Sequence, residues 1–211
     1  MKVLYLTRKK IKYAKDIYVI LKKKFSHVDI VYSKKPGDIL RKKFNVPYDY
    51  TFSYRSYIIL KSDFLKKIKY SAINFHPAPP SLRGFAPASI AILKNLKKFG
   101  STIHEIDNKL DHGPILSVKY FKIPKNINIK KLLDLTYESQ ILQIKYFFEN
   151  FKLKKNKKYK WSKKIHTKKQ IDRIMYIKPN YSKTKVDLII RATKIGKFKP
   201  YTIKAGVKKF L

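Results

Sequence analysis

Hydrophobic and polar positions along the first 150 residues follow two alternating periodicities. Short apolar runs, typical of buried strands, occur at 2–7, 28–32, 50–54, 72–75, 101–105 and 115–121. Apolar residues at helical spacing predict helices at 12–25, 38–44, 62–68, 86–96 and 129–150. Strands that alternate with helices indicate an α/β fold with a mainly parallel sheet.

The pattern changes after Phe151. A lysine-rich stretch at 152–169 surrounds Trp161 and predicts an extended linker over the surface. Two helices and a closing hairpin are predicted beyond it, at 168–175, 186–194 and 201–211, with the hairpin turn at Ala205-Gly206-Val207. We therefore predict a larger domain over 1–151 and a small C-terminal module over 152–211.

Composition and charge narrow the class of protein. The 211 residues carry 51 Lys plus Arg against 13 Asp plus Glu, a net charge of +38, and 44% are hydrophobic, as in a folded chain. Such a charge suggests nucleic acid. However, only six of the basic residues are Arg, and the chain is rich in Lys, Ile, Asn, Tyr and Phe, whose codons are A/T-rich. A solvated lysine surface is therefore the simpler interpretation.

Two absences add expectations about the compartment. The sequence has no Cys, which excludes disulfides and thiolate metal sites and makes the cytoplasm the expected location. It also has no apolar run of the roughly 18 residues that a membrane span needs, so no membrane partner is expected.

The candidate chemistry begins at the end of the fourth predicted strand. Asn74 and His76 are two residues apart, so their side chains share one face at the carboxyl end of this strand. That edge of a parallel sheet is where α/β proteins bind ligands. Pro77 begins a stiff, proline-rich loop. An Asn amide can donate to a developing oxyanion, and a His can move a proton near neutral pH.

A second candidate segment reads Leu110-Asp111-His112-Gly113-Pro114. The carboxylate of Asp111 is expected to orient His76 and to raise the pKa of that imidazole. Gly113 permits a close approach of the backbone. These residues fit acyl transfer to an amine without a covalent enzyme intermediate. No tight metal-ligand spacing is present, so no metal is expected. His104 is equally consistent with lining the site or with the core.

At these residues the chain resembles the folate-dependent formyltransferases over about residues 49–148. The matching elements are Asn74-x-His76-Pro77, Arg83-Gly84, Thr102-x-His104 and Asp111-x-Gly113-x-Ile115. The family includes the purine-pathway, methionyl-tRNA and sugar N-formyltransferases. The resemblance implies a Rossmann-like formyltransferase domain that uses 10-formyltetrahydrofolate as co-substrate.

The resemblance also implies residue roles. The expected catalytic residues are Asn74, His76 and Asp111. Expected contacts with the folate are Tyr57, Ile58, Ile59, Asp107 and Gly113, and expected contacts with the substrate are Pro77, Arg83, Gly84 and His104.

The acceptor is the least constrained part of the prediction. The loop Thr7-Arg8-Lys9-Lys10-Ile11 lacks the glycines of the purine enzyme's phosphate loop. The short tail after Phe151 is similar to that of the sugar N-formyltransferases, which implies an anionic, nucleotide-linked amino sugar as acceptor. The alternatives are an aminoacyl-tRNA, as in the methionyl-tRNA enzyme, or a basic nucleic-acid-binding protein on a decayed fold. The hairpin is a candidate surface for a homodimer.

Overall fold

A six-stranded sheet forms the centre of the structure, a computed structural model that describes residues 1–196, 198–204 and 206–211. Its strands are β1 (Lys2–Arg8), β2 (His27–Ser33), β3 (Tyr48–Tyr54), β4 (Ile68–His76), β6 (Lys98–Glu105) and β7 (Ile115–Lys122), with the two-residue β5 (Arg83–Gly84) outside the sheet. Their order is β2-β1-β3-β4-β6-β7. The first four are parallel, and β6 and β7 are antiparallel to their neighbours. The predicted α/β fold with a mainly parallel sheet is confirmed.

Helices cover both faces of this sheet. They are α1 (Ala14–Lys24), α2 (Ser62–Leu65), α3 (Pro87–Leu93) and α4 (Ile129–Glu149), with a 3₁₀ turn at Lys42–Phe44. In β1, Val3 and Tyr5 pack on the side of α1 and α4, whereas Leu4 and Leu6 pack on the opposite side with Phe64 of α2. Both faces of β1 are buried because side chains alternate along a strand, which explains its continuous apolar run.

The C-terminal part packs against the sheet's far half. It contains β8 (Ile165–His166), α5 (Lys168–Met175), α6 (Lys183–Thr193), β9 (Tyr201–Lys204) and β10 (Val207–Phe210). Ile171, Met175 and Ala192 share one hydrophobic cluster with Ala88 of α3 and Leu132 of α4. The boundary at 151/152 stays a prediction, but the two parts meet through this common core.

The closing hairpin forms as predicted, with β9 and β10 antiparallel. Ala205 of the predicted turn lies outside the described residues, and Gly206 has a φ of +74°. No helix in the described ranges is long and apolar enough to cross a membrane.

The predicted helix at 38–44 is wrong except for its last turn. The carboxylate of Asp38 accepts hydrogen bonds from the backbone N–H groups of Lys34 and Lys35, which forms a local turn instead. Only nine residues separate Gly37 from Pro47, too few to offset the cost of nucleating a helix without strong tertiary packing. The structure therefore retains one 3₁₀ turn there.

Helix α3 ends before the predicted residue 96. Asn95 takes a φ of +53°, and the backbone N–H of Leu96 donates to the Ala91 carbonyl. This left-handed C-terminal turn is a common helix stop. It directs the chain into β6, which carries one of the histidines of the site.

We expect Leu4→Ala to lower the free energy of unfolding by about 2–5 kcal/mol, because Leu4 is fully buried in β1 and its truncation leaves a cavity. Urea denaturation measures the change. Ile39→Ala is the control, since 75% of that side chain is exposed, and it should stay within about 0.5 kcal/mol of the unsubstituted protein. Equal effects of the two substitutions would contradict the placement of β1.

Candidate active site

Asn74 and His104 face each other across the β4–β6 pair. The strands are antiparallel and Asn74 is in register with His104, so the two side chains meet on one face of the sheet. The Asn74 Nδ2 atom lies 3.1 Å from His104 Nε2. His76 stands two residues further along β4, on the same face, and its ring centroid is 6.2 Å from that of His104.

Hydrogen bonds assign the protons of His104. Its Nδ1 lies 2.7 Å from the backbone carbonyl oxygen of Glu105, which can only accept, so Nδ1 carries the proton. Nε2 then accepts from the Asn74 amide. Burial lowers the pKa of His104 to about 4, and the neighbouring His76 acts in the same direction. His104 is therefore neutral at pH 7 and fixes the orientation of Asn74.

Asp111 contacts His76 from the turn between β6 and β7. Its Oδ1 is 3.3 Å from His76 Nδ1, and both side chains are less than 10% exposed. Its Oδ2 accepts a hydrogen bond of 3.3 Å from the backbone N–H of Gly84. Because a carboxylate oxygen faces Nδ1, that nitrogen carries the imidazole proton. The Nε2 atom of His76 is buried and has no hydrogen-bond partner among the described residues.

Asp111 acts on the pKa of His76 in the expected, upward direction, but the net shift of that pKa is downward. Burial lowers the pKa of His76 and outweighs both the attraction of Asp111 and a contact with the Leu82 backbone, which raise it, and the positive charge of Arg83 lowers it further. The imidazole is consequently neutral in the free protein. It can act as a proton acceptor at Nε2 but is not charged in advance.

Two glycines allow the Asp111 turn to approach the strands. A Cβ at Gly113 would collide with the backbone carbonyl of Glu105, and one at Gly84 would collide with the carbonyl of His166. Gly84 also has a φ of +88°, which side chains rarely adopt. The close approach at Gly113 brings the Asp111 turn against β6, whereas the one at Gly84 brings β5 against β8.

Arg83 is buried inside the site and is bonded to the protein itself. Its Nη2 donates to the Leu110 carbonyl at 2.7 Å and its Nη1 to the Ser162 carbonyl at 3.0 Å. The structure therefore places Arg83 as a brace between the Asp111 turn and the segment after α4. A contact between Arg83 and a substrate stays a prediction.

The other expected substrate residues lie close by. Gly84 and His104 contact Asp111 and Asn74 as described above. Pro77 follows His76 directly and lines an apolar cavity of about 220 Å³ with residues of α3, α4, α5 and the segment after α6.

Trp161 is the side chain that the sequence did not assign to the site. Its Nε1–H donates to the Gly113 carbonyl at 2.7 Å, and its ring lies edge-on to His104 and His76 at centroid distances of 4.9 and 5.9 Å. About 50 residues of sequence separate it from Asp111. The sequence held one indication of a role for this residue, which is that Trp161 is the single Trp of the chain.

The residues expected to contact folate lie at the same sheet edge. Tyr57, Ile58 and Ile59 follow β3, which pairs with β4. Ile58 is buried and Ile59 is 79% exposed. On the other side, Asp107 contacts His112 at 2.6 Å. Ser62, the first residue of the helix α2 that follows Tyr57–Ile59, donates a hydrogen bond to Asn108 of the 106–113 turn. No hydrogen bond or ion pair joins Tyr57–Ile59 to Asn74, His76 or Asp111 in the described ranges.

A basic cavity adjoins Tyr57 at the carboxyl ends of β1 and β2. It has a volume of about 580 Å³, and its cationic lining residues are Arg8, Lys9, Lys34, Arg41 and Lys43. The Arg8 guanidinium lies 4.5 Å from the centre of the Tyr57 ring. The cavity is suited to an anion. Among the described residues, no group of three or more His, Asp or Glu side chains could hold a metal ion.

About half of the sequence is similar to known formyltransferases. A family model described as formyl transferase matches residues 42–140. Methionyl-tRNA formyltransferase of Wolbachia pipientis is 42% identical over 78 residues, which are 36% of this chain and 26% of that protein. The match thus spans about a quarter of the length of that curated relative.

Solved structures share the fold along nearly the whole chain. A 4-N formyltransferase from Francisella tularensis superposes with a TM-score of 0.81 at 18% identity, covering 100% of this chain and 96% of that one. An N-formyltransferase from Helicobacter canadensis, solved with folinic acid and dTDP-3-aminofucose, has a TM-score of 0.70 at 20% identity, covering 91% and 80%. At these identities the likeness establishes the fold.

We expect the imidazole of His104 to titrate at about pH 4, and that of His76 below 6.5. Nuclear magnetic resonance of the ring protons checks this, and His104→Gln identifies the signal of His104. The urea-unfolded chain is the reference, in which the imidazoles should have a pKa of about 6.5. The unfolded chain takes up these protons first, so the free energy of unfolding falls as the pH drops from 6.5 toward 4. A His104 midpoint at or above 6.5 would contradict the described burial.

Proposed function

We propose that the protein, whose residues 42–140 match the formyl transferase family model, is an N-formyltransferase that formylates the amine of a nucleotide-linked amino sugar. One observation carries the proposal. A half-buried Asn74 amide and a neutral His76 with an unpartnered Nε2 stand on one face at the carboxyl end of β4, with Asp111 behind His76.

The co-substrate proposed is 10-formyltetrahydrofolate, which supplies the formyl group. The unpartnered Nε2 of His76 fits a reaction that needs a proton acceptor beside the carbonyl under attack. The Tyr57–Ile59 loop and the 106–113 turn flank this point and are the expected folate contacts. The Helicobacter canadensis relative was solved with folinic acid, which supports the same class of ligand here.

The residues divide the work of acyl transfer between them. Asn74 uses one Nδ2 hydrogen to bond His104 and has the other available for the oxygen of the formyl group, where negative charge develops as the amine attacks. His76 accepts the proton of the attacking nitrogen at Nε2. The resulting imidazolium is stabilised by Asp111 at 3.3 Å. His76 then returns the proton to the departing folate nitrogen as the carbon–nitrogen bond breaks.

His76 is uncharged at the start of this sequence of steps. A neutral imidazole accepts a proton when the amine attacks, and the charge appears only where Asp111 is already positioned to stabilise it. Burial of the pair strengthens that attraction, because charges interact more strongly away from water.

The basic cavity beside Tyr57 supports an anionic acceptor. Five cations converge on about 580 Å³, and two of them, Arg8 and Arg41, carry the planar guanidinium that binds phosphate through two hydrogen bonds. A nucleoside diphosphate fits this chemistry. The structural neighbour that was solved with dTDP-3-aminofucose supports the same class of acceptor.

An aminoacyl-tRNA is the second candidate acceptor. It is favoured by the 42% identity to methionyl-tRNA formyltransferase over 78 residues and by the net charge of +38. Nucleic-acid binding without formyl transfer is the third possibility. A homodimer through β9 and β10, whose Val207 and Phe210 are more than 60% exposed, and a cytoplasmic location both stay predictions.

We expect turnover with 10-formyltetrahydrofolate and a nucleotide-linked amino sugar, followed as release of tetrahydrofolate, in a panel that includes several amino sugar nucleotides and Met-tRNA. If turnover occurs with Met-tRNA and with none of the sugars, the acceptor is an aminoacyl-tRNA and the proposed sugar acceptor is wrong. Salt-sensitive tRNA binding without turnover on any acceptor would sink the enzymatic proposal.

We expect Asn74→Ala to lower kcat by about 10²–10³-fold, the usual cost of removing one donor to an oxyanion. Steady-state kinetics with the accepted substrate measures the change. Asn150→Ala is the matched control, because Asn150 is exposed at the end of α4 and bonds only the Tyr146 carbonyl. A similar loss in both variants would show that Asn74 has no special role.

A further inference from the structure

A segment outside the matched family region covers the catalytic residues. The chain after α4 carries Trp161 to the Asp111 turn, where its Nε1–H donates to the Gly113 carbonyl at 2.7 Å. The next residue is fixed as well: the backbone N–H of Ser162 donates to the Pro80 carbonyl at 3.0 Å, and its carbonyl accepts from Arg83. The chain is therefore fixed directly after Trp161, and the indole itself is fixed at Nε1.

The Trp161 ring contacts both imidazoles of the site. It is nearly perpendicular to the rings of His104 and His76, at interplanar angles of 85° and 69°. The Arg83 guanidinium lies 5.9 Å from the indole centroid on another side. His76 and His104 are 6% and 2% exposed, so this half-buried indole is part of what excludes water from them.

We propose that Trp161 is a positioning residue for formyl transfer: it clamps the turn that carries Asp111 and keeps His76 and His104 out of water. This inference rests on the proposed function. It makes the segment after α4 part of the active site, although that segment follows the matched residues 42–140.

The clamp acts on Asp111 through its turn. Gly113 is pressed against the Glu105 carbonyl, Leu110 is bonded by Arg83, and Trp161 holds the Gly113 carbonyl. Removing the indole releases one of three constraints. A carboxylate displaced by a fraction of an ångström would no longer oppose Nδ1 of His76.

Water exclusion acts on the protonation of His76. The charged or titratable groups that face His76 are Asp111 from the turn, Arg83 from β5 and His104 from β6. Asp111 favours the imidazolium, whereas burial and Arg83 disfavour it. With the indole gone, water reduces the burial effect, and the pKa of His76 rises toward its ordinary value. The acid limb of the activity profile moves to higher pH.

Kinetics of Trp161→Phe and Trp161→Ala test the proposal. We expect Trp161→Phe, which keeps a ring but loses the hydrogen bond, to lower kcat roughly five- to tenfold. Trp161→Ala should lower kcat by about a hundredfold, as expected when reacting groups are misplaced, and should shift the acid limb upward. KM for the acceptor should change by less than about twofold, because the lost interaction matters mainly in the transition state.

Tyr159→Ala is the matched control. Tyr159 is an aromatic residue of the same segment, but its ring contacts Tyr120 of β7 at a centroid distance of 6.1 Å. We expect its kcat and pH profile to match those of the unsubstituted protein. If both aromatic substitutions reduce kcat equally, with equal losses of thermal stability and no shift of the acid limb, Trp161 is only structural and the proposal is overturned.

Intrinsic fluorescence provides a readout that needs no turnover. Trp161 is the single tryptophan, and a protonated imidazole quenches an adjacent indole. We expect excitation at a wavelength selective for Trp to show quenching as the pH falls toward about 4, where His104 takes up its proton, and His104→Gln to remove that step. Circular dichroism over the same range separates quenching from unfolding.

The kinetic and the fluorescence measurements can each give a negative result without the other. A quenching step that His104→Gln removes, in a chain with no turnover on any acceptor, shows that the indole packs on His104 but rejects the proposed function and, with it, the positioning role. Turnover that is unaffected by Trp161→Ala, or emission that does not respond to His104, rejects the clamp and leaves the proposed function intact.

Discussion

A buried carboxylate is costly unless its oxygens are fully partnered, and Asp111 sets this constraint for the whole site. One oxygen faces His76 and the other accepts from the Gly84 N–H. Those two contacts require the turn to lie closer to the Glu105 carbonyl of β6 than a side chain at Gly113 would permit. The need to partner both oxygens of the Asp111 carboxylate therefore constrains the path of the chain from β5 to β7.

The two buried histidines have different tasks, and their hydrogen bonds explain the difference. The ring of His104 uses both nitrogens inside the protein, toward Glu105 and Asn74, so it has no site left to exchange a proton with a ligand. His76 uses only Nδ1 and leaves Nε2 unpartnered. Reversal of strand direction between β4 and β6 places these rings side by side, since a parallel neighbour would carry His104 in a different register.

Local patterns were enough to predict most of the strands, the long helix α4, and the pairing of Asn74 with His76 on one face. They could not predict the direction of the pKa shift at His76, because burial of a single imidazole depends on groups from four separate segments. The prediction of a helix at 38–44 was wrong because the carboxylate of Asp38 accepts a hydrogen bond from the backbone and forms a turn instead. The bracing contacts of Arg83 and the place of Trp161 in the site could not be predicted either, because their partners are backbone carbonyl oxygens, which every residue carries.

The segment after α4 also sets an order of events during synthesis. The six strands of the sheet and all four residues Asn74, His76, His104 and Asp111 are translated before residue 161 leaves the ribosome. Until then the Asp111 turn lacks its hydrogen bond to Trp161, and the two imidazoles lack the cover of the indole. Under the proposed role of Trp161, a nascent chain with a complete sheet therefore still lacks one part of its site, which is completed when the lysine-rich segment docks.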